Sequence, residues 1–525
     1  MHMYKHASMI MAVMLLPAAA AMSLAQTAGG ESPRPAVQGE VIRTSGNRHY
    51  EPTWDSLAQH GAAPKWYQDA VFGIYFHWGV YSVPAFGSEK YPRDMYRQNS
   101  ATNKHHRSTY GDPTKFGYHD FIPMFKAEKW DPDRWAALFK NAGADFAGSI
   151  GAHHDGFAMW DTAYSPYNSM DMGPRRDVVG EMAQAVRKQG MKVVTTFHNV
   201  RWDYFDDGRQ LCPKGVGVND PKLSGLYGPP HGAEDPMSES FREKGYNQVI
   251  EVIDKYRPDH LQFDGTTCEN LGEDGKKKFL AHYFNAAEKW GKEVVVTRGY
   301  SSRHPYSPSP IWNKEVMISR VIPLSCSVQN VERHFPTVGQ RTPWPDRQQA
   351  TTPVPGFGYA YTASLEDKTP AQVDDSVNAL VDGMVDVTSK NGVTLLSVAP
   401  KADGTLPDSQ VQVLKKLGDW MRVNKEALYG TDCRTPCAAG TLRFTRKERC
   451  LYTIDLEKPS APEVIPGVAP VPGSAIRMLG SDENLAWHQD GGNVVIEELP
   501  DPLPCDYAWA FKIRFSEATN EAQRD

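Results

Sequence analysis

Past an apolar run near its N-terminus, the chain has no hydrophobic stretch of the roughly 20 residues that a membrane-spanning helix needs. It has no Lys/Arg-rich block either, and its formal charge is only −6 over 525 residues. That excludes the electrostatic footprint of a nucleic-acid-binding protein. No CxxC pair or spaced His/Cys set is present, so no structural zinc site is expected. A Gly-rich phosphate loop is missing, which removes the usual reason for an open dinucleotide-binding sheet. No repeat of about 20 to 50 residues marks a solenoid or propeller. What remains is a globular chain whose partner is a neutral small molecule or polymer.

There is ample material for a large core, since 40% of residues are hydrophobic and 11% aromatic. The length leaves room for a barrel of about 250 residues or more and a second domain. At the N-terminus, MHMYKHASMIMAVMLLPAAAAMSLAQ sets Lys5 before the apolar run and ends on the small residues Ser23 and Ala25. This is the pattern of a secretory signal cleaved after Ala25, which implies a secreted or periplasmic protein. Residues 26–53 are rich in Pro and Gly and aperiodic, as a tether is. Seven cysteines leave at least one unpaired in a monomer, and the cluster Cys433, Cys437, Cys450 and Cys505 has room for one or two bridges.

From Trp54 onward, short apolar runs alternate with amphipathic segments. GIYFHWG, FAGSIGAHH, MKVVTTFHN, DHLQFDG, KEVVVTRG and VTLLSVAP read as strands, with helical patterns such as PDRWAALFKNAG and ESFREKGYNQVIEVIDKYRP between them. The expected fold is α/β: a (β/α)₈ barrel over residues 54–430, whose last helix runs through PDSQVQVLKKLGDWMRVNKEALYG. Beyond it, TLRFTR, CLYTIDL, GNVVIEEL and AWAFKIRF are short and β-rich, and predict a small antiparallel sandwich over 431–525. Several barrel strands end in a polar residue: His77, His153 with His154, His198, Asp264 and Arg298. Strand C-termini are where a barrel collects its chemistry.

Four segments carry a resemblance. VFGIYFHWGVYSVPAFGSEKYPRDMY, AHHDGFAMWDTAYSPYNSMDMGPRRDVVGEM, HLQFDG and SKNGVTLLSVAPKADGTLPDSQ occur in that order between Trp66 and Gly430. Together they resemble the α-L-fucosidases, family 29 of the glycoside hydrolases. The resemblance implies a retaining glycosidase that removes terminal α-L-fucosyl residues from glycans, with Asp264 as nucleophile and with His77, Glu89, His153, His154 and Arg298 around the sugar. His198 and Trp160 are further candidates from their positions at strand ends, and Phe357 and Tyr359 could form an apolar wall. Lys90, where the family commonly has Trp, and PWPDRQQATTP, in place of a family motif, depart from the pattern and leave aglycone preference open. An α-L-galactosidase, or a carbohydrate-binding relative that has lost catalysis, remains an alternative. So does a metal-dependent barrel hydrolase using His77, His153 and His154, although barrel metallohydrolases usually place two histidines one residue apart on the first strand.

The chemistry agrees with the resemblance. Glycoside cleavage needs a carboxylate at the anomeric carbon and a carboxylic acid that protonates the departing oxygen. Asp264, between an apolar strand and Gly265, suits the first role. Glu269, Glu273, Glu315 and Glu332 compete for the second. Glu332, in SVQNVERHFP, resembles a family stretch that carries the acid, and Glu315, in IWNKE, is the second choice. Double displacement by this pair requires no metal and no organic cofactor.

Overall fold

The computed structural model describes residues 48–265, 267–299, 322–323, 325–332, 343–344 and 346–515. The expected signal segment, nearly all of the tether and Glu315 lie outside them. Eight strands, β1 (Phe72–Phe76), β2 (Phe146–Ala152), β3 (Lys192–Phe197), β4 (His260–Phe263), β5 (Val295–Gly299), β6 (Val328–Glu332), β7 (Gln348–Pro353) and β8 (Gly392–Val398), close into a barrel in sequence order. Neighbouring strands are parallel throughout, and β8 pairs with β1 to complete the ring. Parallel pairing needs a long crossover, and a strand covered on both sides reads as an unbroken apolar run. FGIYF of β1 does so, and every residue of it is buried. Inside the ring, Tyr75, Phe146, Val194, Val295 and Leu395 pack on one another, so the barrel is filled.

The outer helices follow from local signals. Helix α1 (Pro132–Asn141) starts on Asp131, whose carboxylate accepts from the Arg134 amide at 3.0 Å, and turns Trp135 and Phe139 inward. Helix α2 (Val178–Lys188) follows β2, and α3 (Glu239–Tyr256) and α4 (Gly272–Trp290) flank β4. Helix α5 (Pro370–Ser389) opens with Pro370 and a capping box between Thr369 and Gln372. The last outer helix is α6 (Asp408–Asn424). No helix among the described residues is long and apolar enough to cross a membrane.

Behind the barrel, β9 (Asp432–Ala439), β10 (Leu442–Lys447), β11 (Cys450–Asp455), β13 (Ile476–Met478) and β16 (Trp509–Arg514) form one antiparallel sheet. A second sheet joins β12 (Glu463–Ile465), β14 (Trp487–Asp490) and β15 (Asn493–Ile496). Phe444, Ile465, Ile476, Val494 and Phe511 fill the space between them. The sandwich is tied to the barrel by polar contacts that are themselves buried. Arg443 Nε of β10 meets Asp386 Oδ1 of α5 at 2.6 Å, Lys390 Nζ takes the other oxygen at 2.6 Å, and Trp420 of α6 donates to the Ala508 carbonyl. All seven cysteines are free thiols, contrary to the room for bridges seen in the sequence. Cys433 on β9 and Cys450 on β11 are held apart by β10, which pairs with both.

Candidate active site

The site stands at the C-terminal ends of β1 to β5. His77 follows β1, and its amide continues the ladder to the Val398 carbonyl at 3.1 Å. Its Nδ1 lies 2.8 Å from the Ser397 hydroxyl of β8. His153 and His154 follow β2. His198 follows β3, its amide bonded to the Ala152 carbonyl at 3.0 Å. The four rings form one group: His153 stacks on His198 at 5.0 Å, His77 approaches His198 at 5.3 Å, and His154 meets His153 at 4.7 Å. Burial, then the neighbouring rings His154, His198 and His77, hold His153 well below its usual range. Burial pushes His198 down to about 4 against the pull of Asp264. These two rings are therefore neutral near pH 7, and the Nδ1 atoms of both are buried with no protein hydrogen bond.

Asp264 extends β4 by one residue, its amide donating to the Phe197 carbonyl at 3.0 Å. Burial by itself would raise its carboxyl, but attraction to His198, which takes up its proton in the acid range where Asp264 titrates, a hydrogen bond from His154 and attraction to His77 outweigh it, and Asp264 is held well below the usual carboxylate range. His154 Nε2 faces Asp264 Oδ2 at 3.4 Å, while its Nδ1 is bonded to the His198 carbonyl. The His154→Phe exchange keeps the ring volume and removes both bonds. It is expected to lower kcat/KM by roughly tenfold to a hundredfold, the worth of a charged hydrogen bond. Asp264 loses one of the interactions that depress its carboxyl, so the acidic limb of the pH–rate profile should move upward, and an unmoved limb would contradict this role for His154.

The turn after Asp264 is shaped by two glycines. Gly265 has φ +48, which a side chain disfavours. Gly299, the last residue of β5, packs so closely that a Cβ there would stand 2.4 Å from the Gly265 nitrogen and 3.2 Å from the Asp264 carbonyl carbon. Gly299→Ala must therefore displace the carboxylate's backbone. We expect kcat to fall about a hundredfold with the barrel still folded, checked by kinetics beside a melting curve.

Arg298, adjacent on β5, is buried and acts electrostatically on Glu269, Cys268 and Cys326. Glu89 is buried near Tyr81 and Tyr204, whose hydroxyls its charge helps to hold un-ionised. Trp160 is not brought into the group. Its indole donates to Glu251 of α3 at 2.8 Å, and it packs on Phe197 in the layer between barrel and helices. Tyr359 lies 4.6 Å from the His77 ring, whereas Phe357 sits beneath Lys368.

Three residues join the site that the sequence reading missed. Tyr81 packs 5.1 Å from His153, Tyr204 packs 5.1 Å from His154, and both hydroxyls are buried without a protein partner. Asp155, of the His-His-Asp-Gly-Phe stretch, accepts from Tyr118 at 2.5 Å and is pushed by burial up to about 6. The Asp in that stretch was the available signal for Asp155. Tyr81 and Tyr204 sit on short 3-10 turns and had none. Among the competing glutamates, Glu273 is engaged at the surface by Trp54 and Lys276. Glu269 is half-buried, with its carboxyl raised above the ordinary value by desolvation. Glu332 ends β6, and its side chain lies outside the described residues.

Buried polar atoms without protein partners need something to bond, and here Nδ1 of His153 and His198 and two tyrosine hydroxyls belong to the histidine cluster that faces an ionised carboxylate. A polyhydroxylated ring supplies such partners and presents an anomeric carbon, which places the protein among the barrel glycoside hydrolases. The model of the α-L-fucosidase family matches residues 39–426, and the chain belongs to that family. It is 28% identical over 477 residues to the α-L-fucosidase of Branchiostoma floridae, covering 89% of this chain and 96% of that one. With the human plasma α-L-fucosidase it shares 27% over 481 residues, 88% of this chain and 92% of that one. Among solved structures, the Thermotoga maritima α-fucosidase in complex with fucose superposes with a TM-score of 0.68 at 30% identity, over 89% of this chain and all of that one.

Proposed function

We propose that the protein is an exported, retaining α-L-fucosidase that hydrolyses terminal α-L-fucosyl residues of glycans. The observation that carries this reading is Asp264, half-buried and held ionised at the tip of β4, with unpartnered hydrogen-bonding groups in the adjoining histidine cluster. Asp264 attacks the anomeric carbon as Glu332 protonates the departing oxygen. Glu332 then takes a proton from water, which displaces Asp264 and releases fucose with its configuration retained. His77, His153, His198 and the two tyrosines bond the sugar hydroxyls, and Tyr359 covers an apolar edge. Such a pair of carboxyls stands about 5 to 5.5 Å apart in retaining enzymes.

Proton NMR of the first product from an aryl α-L-fucoside tests the proposal. The α anomer of fucose is expected first; the β anomer would exclude double displacement, and release from an α-L-galactoside alone would change the donor sugar. Export is supported by Lys5, the apolar run and Ala25, and is tested by sequencing the mature N-terminus, expected at Gln26.

A metal-dependent hydrolase is the second reading, because ring nitrogens of His77, His153 and His198 lie within 4.8 Å of one another, with His154 turned instead to Asp264. Exhaustive treatment with EDTA is expected to leave turnover unchanged. Loss of activity restored by zinc would favour the metal.

A further inference from the structure

At an open end of the sandwich, a cavity of about 410 Å³ lies between β9, β10 and β11 on one side and the β14–β15 hairpin on the other. Leu451, Val468 and Phe515 give it an apolar wall, and Arg434, Arg446 and Asn493 give it polar groups. Its most telling feature is Arg434. The guanidinium stands 5.0 Å over the Phe444 ring and donates through Nη2 to the Gly467 carbonyl at 2.6 Å, which fixes its plane. Its Nη1 is buried with no protein hydrogen bond. Neither Arg434 nor Arg446 is ion-paired among the described residues. Asp432, the register partner of Arg446 across β9 and β10, is exposed and makes no ion pair with it.

A fixed guanidinium with an unused buried donor is costly unless something accepts from it. Two arginines that make no ion pair among the described residues match an oxyanion from outside, since the fork of a guanidinium fits carboxylate or sulfate oxygens. The cavity has the size of a small-ligand site, and its mixed lining can take the polar rim and the C–H face of a sugar ring together. We propose that this cavity is a binding site for an anionic sugar, one bearing a carboxylate or a sulfate, separate from the catalytic site. It would hold the enzyme on an acidic glycan while the barrel works on neutral termini. The site does not depend on the fucosidase reading, because none of its residues belongs to the barrel.

The test is isothermal titration of the full-length protein with D-glucuronate and D-galactose 6-sulfate, with D-galactose as the neutral control. The complete chain is used so that the acidic residues following Phe515, Glu517, Glu521 and Asp525, are free to compete. At least one anionic sugar is expected to bind, and which one tells carboxylate from sulfate. Added salt should weaken it, and Arg446→Gln should weaken it roughly tenfold or more. Arg446 is half-buried, so its variant is the one expected to fold, and its melting temperature and aryl fucoside turnover should match wild type. Arg434→Gln should behave alike provided its melting curve is intact. No binding of either anionic sugar, equal affinity for galactose, or an affinity untouched in Arg446→Gln would each overturn the proposal.

Discussion

Asp264→Ala is expected to lower kcat on an aryl α-L-fucoside by about 10⁴-fold or more, the largest effect of any single exchange in this protein. The carboxylate is held ionised at the tip of β4, and its bond to the anomeric carbon exists only along the reaction. Removing it should therefore spare substrate binding and cost kcat. Azide should restore part of the rate, because the vacated space admits a small anion at the face where the carboxylate attacked. The rescued product should be the β-L-fucosyl azide, of inverted configuration. A loss smaller than tenfold would show that another group attacks.

Glu332→Ala is expected to lower turnover by about 10²- to 10⁴-fold on substrates with poor leaving groups and far less on dinitrophenyl fucosides, which depart without a proton. The basic limb of the pH–rate profile should vanish with it, and azide should now yield the α-L-fucosyl azide, because the enzyme intermediate forms and is intercepted. Glu269 is the control that the structure supplies. It is half-buried, its carboxyl is raised by desolvation, and Asp264 contributes to the shift. If Glu269→Gln, and not Glu332→Ala, shows the leaving-group dependence, the acid is Glu269.

Much of the barrel was legible because its strands β1 to β5 and β8 are covered on both faces and must be apolar, and because β1 to β5 carry a polar residue at or just past their ends. Strands β6 and β7 carry no such run. QQATTP of β7 turns Gln349 and Thr351 inward, where Gln349 Nε2 reaches Gln262 at 3.1 Å and Asn330 at 3.0 Å, and Tyr67 donates to its oxygen at 2.7 Å. A hydrogen-bonded interior leaves no apolar period to read. The same limit applies to the site. Asp264 and the histidines stand at strand ends; the family resemblance marked Asp264, His77, His153 and His154, and position alone marked His198. Trp160 also follows a strand, yet its side chain points to α3, because which way a loop residue faces is set by packing. Tyr81 and Tyr204 come from the 3-10 turns that follow β1 and β3, and no periodic spacing announces them.

The most direct test of the central claim is to trap the intermediate with a 2-deoxy-2-fluoro-fucosyl fluoride, in which the fluorine slows breakdown of the covalent ester more than its formation, and to locate the label by peptide mass spectrometry. The label is predicted on Asp264 in HLQFDG, with one equivalent bound and activity lost in parallel. A label on any other residue, or complete turnover with inversion and no label, would contradict Asp264 as the nucleophile.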